Sequence, residues 1–227
     1  MSGEPWLARR DWTERRIRDE NASGAWAFLI FTVIWNLFSW GIAYLFVSQR
    51  NAGGAGRFFV LIFPGVGLLM FLGVVYVLLR RRRYGVPVLE LATLPAPVGR
   101  ALAGLVRTKA VFDPAGGFVV RLECIHLTVT GSGKNRSTHE NTLWTGERMI
   151  PGATPDAQGI AIPIALAIPS DARETGGANS SDRVLWRLRV SAAVDGIDFS
   201  AQFEVPVYRT PASDTPLTPE ELARLAP

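Results

Sequence analysis

The sequence predicts a membrane α-helical hairpin joined to an all-β domain, an antiparallel β-sandwich of about seven strands, on three observations. Residues 25–47 and 58–79 are apolar runs without a charged residue. After residue 83 the pattern changes to short alternating segments broken by Gly, Pro and Asp. Near the end, Asp195-Gly196 stands between two alternating runs, the strongest short-range signal for a hairpin.

Each apolar run exceeds the roughly 20 residues that cross a hydrocarbon core. A pair of buried helices in a soluble protein would need far more chain to cover it than the 227 residues provide. A cleaved signal peptide fits poorly, because the first run starts only at residue 25 and no small-residue cleavage site follows it. The linker SQRNAGGAGR is short enough to force an antiparallel pair. Pro64, Gly65, Gly67 and Gly73 in the second run, with Asn36 and Ser39 in the first, suit close packing or hydrogen bonding between the helices. Asn36 also admits a transport reading, but a lone amide is more often a tie between helices.

Charge supplies the orientation. Arg9, Arg10, Arg15, Arg16 and Arg18 precede the first run and Arg80, Arg81, Arg82 and Arg83 follow the second, whereas only Arg50 and Arg57 lie between them. Nine against two places both termini of this multi-pass protein in the cytoplasm. Residues 1–83 carry 11 basic and 5 acidic side chains, net +6, and residues 84–227 carry 13 and 15, net −2. The basicity therefore belongs to the lipid-facing flanks, and the soluble part has no nucleic-acid footprint. Residues 1–23 read as a cytoplasmic juxtamembrane segment with Trp6 and Trp12 suited to the headgroups, 24–83 as the two-span hairpin, 84–209 as the sandwich and 210–227 as a C-terminal tail.

The expected strands are 88–92, 101–108, 118–130, 141–148, 160–168, 184–194 and 197–208. Pairing Val194 with Ile197 across the Asp-Gly turn fixes the last hairpin: Trp186 opposite Val205, Leu188 opposite Phe203 and Val190 opposite Ala201 on the buried face. Arg187 opposite Glu204 and Arg189 opposite Gln202 then fall on a wet face, with a cross-strand ion pair.

Residues 131–138, GSGKNRST, invite comparison with a phosphate-binding loop, but Thr128 stands where its first glycine belongs and Asn135 follows Lys134 in place of Ser or Thr. The residues beyond are strand-like, not helical, so 131–140 reads as the connection of a long hairpin. Gly131, Ser132, Gly133, Lys134, Asn135 and Arg136 form an interaction loop in this reading. Cys124 and His126 share a strand face, the spacing a nucleophile and its base would need, yet no third orienting residue stands out and a small core thiol is the plainer reading. With His139 they are the only soft or imidazole ligands, at no recognised metal spacing. No cofactor site is expected. The Asn-x-Ser sequences at Asn21, Asn135 and Asn179 carry no weight in a cytoplasmic context.

GSGKNRS followed shortly by LW, the stretch of Leu89, Leu91, Pro95, Pro97, Gly99, Leu102 and Gly104, and the closing W-L-V then F-x-V-P-V pattern together resemble a group of uncharacterised bacterial inner-membrane proteins with a two-helix anchor and a C-terminal β-domain. The resemblance implies architecture and no activity. IPIALAIP before VLWRLRV and FEVPV is also similar to the second sandwich of arrestin-like proteins. The expectation is a non-enzymatic, membrane-anchored interaction protein that meets another protein through an edge strand or the 131–140 loop. The alternative is an accessory subunit of a membrane enzyme or transporter, in which the helical hairpin carries the contact.

Overall fold

The computed structural model describes residues 4–48, 54–131, 136–179, 181–215, 217–218 and 220–221. The chain divides into two compact units, Asn21–Arg83 and a second made of Met1–Glu20 with Tyr84–Pro227.

The first unit is two long helices, α2 (Asn21–Ser48) and α3 (Gly54–Tyr84), α1 being the single turn Arg10–Thr13 of the other unit. Their stretches Trp26–Ser48 and Val60–Tyr84 are long and apolar enough to cross a membrane, with mean hydropathies of 1.7 and 2.5. Large apolar side chains point outward along both, Leu37 being 71% and Leu69 69% exposed, so the apolar surface is not consumed by a core. Polar groups tie the helices together instead. The Asn36 amide donates to the carbonyls of Thr32, at 2.9 Å, and of Gly67 on the facing helix, at 3.1 Å. Trp35 Nε1 donates to the carbonyl of Phe63 at 3.1 Å, next to Pro64 inside α3. A Cβ on Gly67 would lie 2.6 Å from Asn36 Oδ1, so glycine is what admits the amide; Gly73 receives the Phe28 ring, while Gly65 faces open space.

The second unit holds twelve strands among the described residues, in three sheets. In chain order they are β1 (Arg16–Arg18), β2 (Val88–Leu91), β3 (Ala96–Pro97), β4 (Ala101–Thr108), β5 (Phe118–Thr130), β6 (Ser137–Ile150), β7 (Thr154–Asp156), β8 (Gly159–Ala167), β9 (Gly176–Asn179), β10 (Asp182–Ala192), β11 (Phe199–Val205) and β12 (Val207–Tyr208). One sheet runs β1-β2-β4-β8-β7, the second runs β11-β10-β5-β6 with β9 alongside β10, and β12 pairs with β3 in the third. The first two are antiparallel throughout; β3 and β12 are parallel, contrary to the all-antiparallel expectation. Leu89, Leu102, Val106 and Ile162 of the first sheet and Leu122, Trp186, Leu188 and Phe203 of the second belong to one hydrophobic cluster. Tyr84, Phe112, Phe118 and Phe199 close one part of it as a ring of tilted and edge-on contacts, with centroids 5.0–6.3 Å apart.

The four strands with no counterpart among the expected segments, β1, β3, β7 and β9, have two to four residues each and lack an alternation long enough to read from sequence. The register expected for β10 and β11 is the register found, from Trp186 opposite Val205 to Ala192 opposite Phe199. The tight turn is not. Pairing stops at Ala192 and Phe199, because the Ile197 carbonyl that Val194 would have used accepts the Tyr84 hydroxyl, and the Val194 N–H turns to Asp198 Oδ1 at 3.1 Å.

Two further expectations are corrected. Arg187 does not pair with Glu204: it forms a two-pronged bond to Glu140, while Glu204 takes Arg9 at 3.0 Å. The face is not wet at its centre, since the side chains of Arg187, Glu123 and Glu204 are only 13%, 14% and 15% exposed. Secondly, the residues before the first apolar run do not stand apart as a headgroup segment. Ile17 is fully buried on β1, which pairs with β2. Trp12 is 4% exposed, donates from Nε1 to the Glu204 carbonyl, and lies under the Arg9 guanidinium, 4.4 Å from its ring centroid. Trp6 packs on Tyr208 with centroids 5.1 Å apart.

Candidate functional site at the open edge of the second sheet

Strand edges are where a β-domain can accept another chain, and here the edges differ. In the first sheet both edges, β1 and β7, are three residues long. In the second, β11 is met at Gln202 by residues preceding α2: the Gln202 carbonyl accepts Glu20 N–H, and Gln202 N–H donates to Asp19 Oδ1, each at 2.9 Å. The opposite edge is β6, 14 residues long, and no strand pairs with its outer side among the described residues.

β6 carries a bulge at its middle. Cys124 lies opposite Trp144 and Ile125 opposite Thr142, so Leu143 is an extra residue without a partner on β5. Leu143 is 40% exposed, and Met149 farther along is 63% exposed. The Trp144 indole folds back over Gly146, where a Cβ would come within 2.4 Å of the ring, and reaches Trp186 with centroids 5.6 Å apart.

Next to the bulge lies a pocket of about 220 Å³ lined by Cys124, Leu143, Trp144, Pro169, Asp171, Ala172 and Arg173. Its rim is the connection between β8 and β9, held from two sides. Trp186 Nε1 donates to the Arg173 carbonyl at 2.9 Å, and Thr175 N–H donates to the Val207 carbonyl at 2.7 Å. The Asp171 and Arg173 side chains make no ion pair or hydrogen bond among the described residues, whereas ion pairs occupy much of the opposite face of the second sheet. Burial pushes the Cys124 thiol up to about 11, against the opposing pull of Arg173, so it is a protonated thiol at neutral pH.

Only part of the set singled out from sequence falls among the described residues. Ser132, Gly133, Lys134 and Asn135 lie outside the described residues; Gly131 opens the connection with φ +84°, and Arg136 is exposed at its end. The connection is shorter than the expected 131–140, because β6 begins at Ser137 and Glu140 is a strand residue engaged by Arg187. His126 bonds Asp182 at 2.6 Å and His139 bonds Ser137 at 3.2 Å, so neither imidazole serves Cys124. Asn36 acts as a tie between helices. What sequence reading missed is the pocket. Its one local signal is Leu143-Trp144, two large apolar residues in succession where strict alternation permits one.

No family model matches the chain, and no curated protein matches it. Among solved structures it is similar to the sporulation control protein Spo0M of Bacillus subtilis, at 16% identity and a TM-score of 0.35. The match covers 56% of this chain and 51% of that one, so the chain spans about half the length of that structure. A likeness this shallow adds nothing to the fold described above.

Proposed function

We propose that this chain is a non-enzymatic, membrane-anchored interaction protein, its helical pair crossing the bacterial inner membrane and its β-unit, a sandwich, offering the β6 edge to another protein on the cytoplasmic side. The observation that carries this reading is the 14-residue edge, unpaired among the described residues, with a bulge and a pocket at its centre, in a sheet whose other edge is already met by backbone. Addition of a partner strand would satisfy the open N–H and C=O groups, and the pocket would add side-chain selectivity. The outward apolar side chains of α2 and α3 support the anchor, and the nine arginines flanking the helices against two between them support the orientation.

A photo-reactive side chain at Leu143 should crosslink a partner in intact cells, whereas one at Val111, 81% exposed and far along the chain from β6, should not. Crosslinks confined to helical positions such as Leu69 would overturn the reading in favour of a hairpin-centred contact. In a chain whose Cys124 has been replaced, Gly53→Cys should react with an impermeant thiol reagent applied to intact spheroplasts and Ser213→Cys should not; the reverse pattern would invert the orientation.

A further inference from the structure

Three features favour a single occupant for the pocket beside β6. The first is size. A cavity of about 150 Å³ admits benzene, and sites for drug-sized ligands run from about 300 Å³ upward. At about 220 Å³ the pocket suits one large apolar side chain better than a whole cofactor. The second is chemistry: Cys124, Leu143, Trp144, Pro169 and Ala172 supply apolar walls, while the Arg173 guanidinium on the rim has no carboxylate partner among the described residues. A guanidinium matches a carboxylate with two parallel hydrogen bonds. The third is position, since Leu143 and Trp144 belong both to the pocket and to the open strand.

We propose that this pocket receives the C-terminal residue of a partner polypeptide, with an apolar last side chain against Trp144 and Cys124, its terminal carboxylate on Arg173, and the preceding residues added as a strand along β6. The proposal rests on the edge-strand reading given above and names what the edge selects. Asp171 stands on the same rim and opposes any anion, so a singly charged carboxylate is favoured over a phosphate.

The test uses the full chain in nanodiscs and fluorescein-labelled peptides of sequence Thr-Val-Thr-Val-Thr-Leu, with a free C-terminus or a C-terminal amide, followed by anisotropy. N-acetyl-leucine and its amide serve as unlabelled competitors. The free acid should bind about tenfold or more tighter than the amide, as expected for a charge-assisted pair. Arg173→Gln should erase that preference, Asp171→Asn should enlarge it, and Ala172→Trp, by filling the pocket, should erase the advantage of leucine over a terminal serine. Arg173 and Asp171 are exposed, so both variants keep the fold, which their thermal unfolding checks. Equal binding of acid and amide, a preference that survives Arg173→Gln, or no binding of any peptide would overturn the proposal. The parent reading fails separately: N-acetyl-leucine competing as well as the hexapeptide would leave the pocket in place and remove the added strand. Tight binding of the hexapeptide amide equal to that of the acid would keep the strand and remove the carboxylate.

Discussion

Arg187 stands directly opposite Glu204 across the β10–β11 ladder, yet its guanidinium takes both carboxylate oxygens of Glu140, at 2.9 and 3.1 Å. Glu140 belongs to β6, on the far side of β5. The bond thus spans the sheet laterally and ties the open edge strand to its interior.

Removing it should cost more than an ordinary surface pair, because the Arg187 side chain is 13% exposed and the geometry is two-pronged. Arg187→Ala should destabilise the β-unit by about 1–3 kcal/mol. Glu140→Gln should cost less, about 1 kcal/mol, since Glu140 is 45% exposed and water replaces part of the interaction. A double-mutant cycle read by thermal unfolding should show coupling between the two positions and none between Arg187 and Glu204.

The same bond gives a pH dependence. Hydrogen bonding to Arg187 holds the Glu140 carboxyl below its ordinary 4.5, and hydrogen bonding to Arg107 holds Asp156 below its ordinary 3.8. A depressed folded-state value contributes stability that is present above the unfolded value and lost as pH falls through the folded one. The unfolding temperature should therefore hold from neutrality to about pH 5 and drop below about pH 4.5. Arg187→Gln should flatten the Glu140 share of that drop; an acid limb identical to wild type would show that the bond does not form in solution.

Trp186 tests the core one residue away. It is fully buried opposite Val205 and Cys124, and its Nε1 holds the Arg173 carbonyl at the pocket rim. Trp186→Ala should cost about 3–5 kcal/mol through the cavity it leaves. Trp186→Phe keeps most of the volume but not the hydrogen bond. It should cost less and loosen the rim, seen as faster amide exchange at Ala172 and Arg173.

Much of the fold was legible because long elements carry their own period. The limits of β4 and β5 match the expected 101–108 and 118–130, and both apolar runs became helices. Legibility failed where a group's partner lies far along the chain. Trp12 looks like a headgroup residue until Glu204, 192 positions away, supplies its acceptor, and the Asp195-Gly196 turn looks tight until Tyr84 takes the Ile197 carbonyl. The pocket fails for a related reason: Cys124, Trp144 and Arg173 come from three separate segments, and no spacing rule joins them.

Residues 16–18 add a strand to the first sheet, and Trp12 and Ile17 enter its core. A fragment beginning at residue 84 should therefore be less stable than the β-unit of the whole chain by about 3–5 kcal/mol or more, the cost of emptying one large aromatic site alone. Fusing residues 1–20 to residue 84 through a flexible linker in place of the helices should restore cooperative unfolding. Equal unfolding temperatures for the two fragments would mean that the β1–β2 pairing contributes nothing.

The helical pair yields the last expectation. Gly67 makes room for Asn36: a Cβ there would meet Oδ1 at 2.6 Å, inside any tolerable contact, and the Gly67 carbonyl accepts the amide at 3.1 Å. Gly67→Val should therefore push the helices apart and break the Trp35 bond to Phe63 as well. Asn36→Leu should cost only about 0.6 kcal/mol, the average for hydrogen bonds between membrane helices, and no more than about 1.7 kcal/mol, the largest such value. If steric closeness rather than the hydrogen bond dominates, Gly67→Ala should be worse than Asn36→Ala, and Asn36→Ala added to Gly67→Ala should recover part of the loss, because the smaller side chain vacates the space the new methyl needs. Titration with sodium dodecyl sulfate, followed through Trp35 fluorescence against variants lacking the other tryptophans of α2, would measure all five variants. Additive losses in the double variant would show that a methyl at position 67 does not meet Asn36, and would remove the packing role given to Gly67.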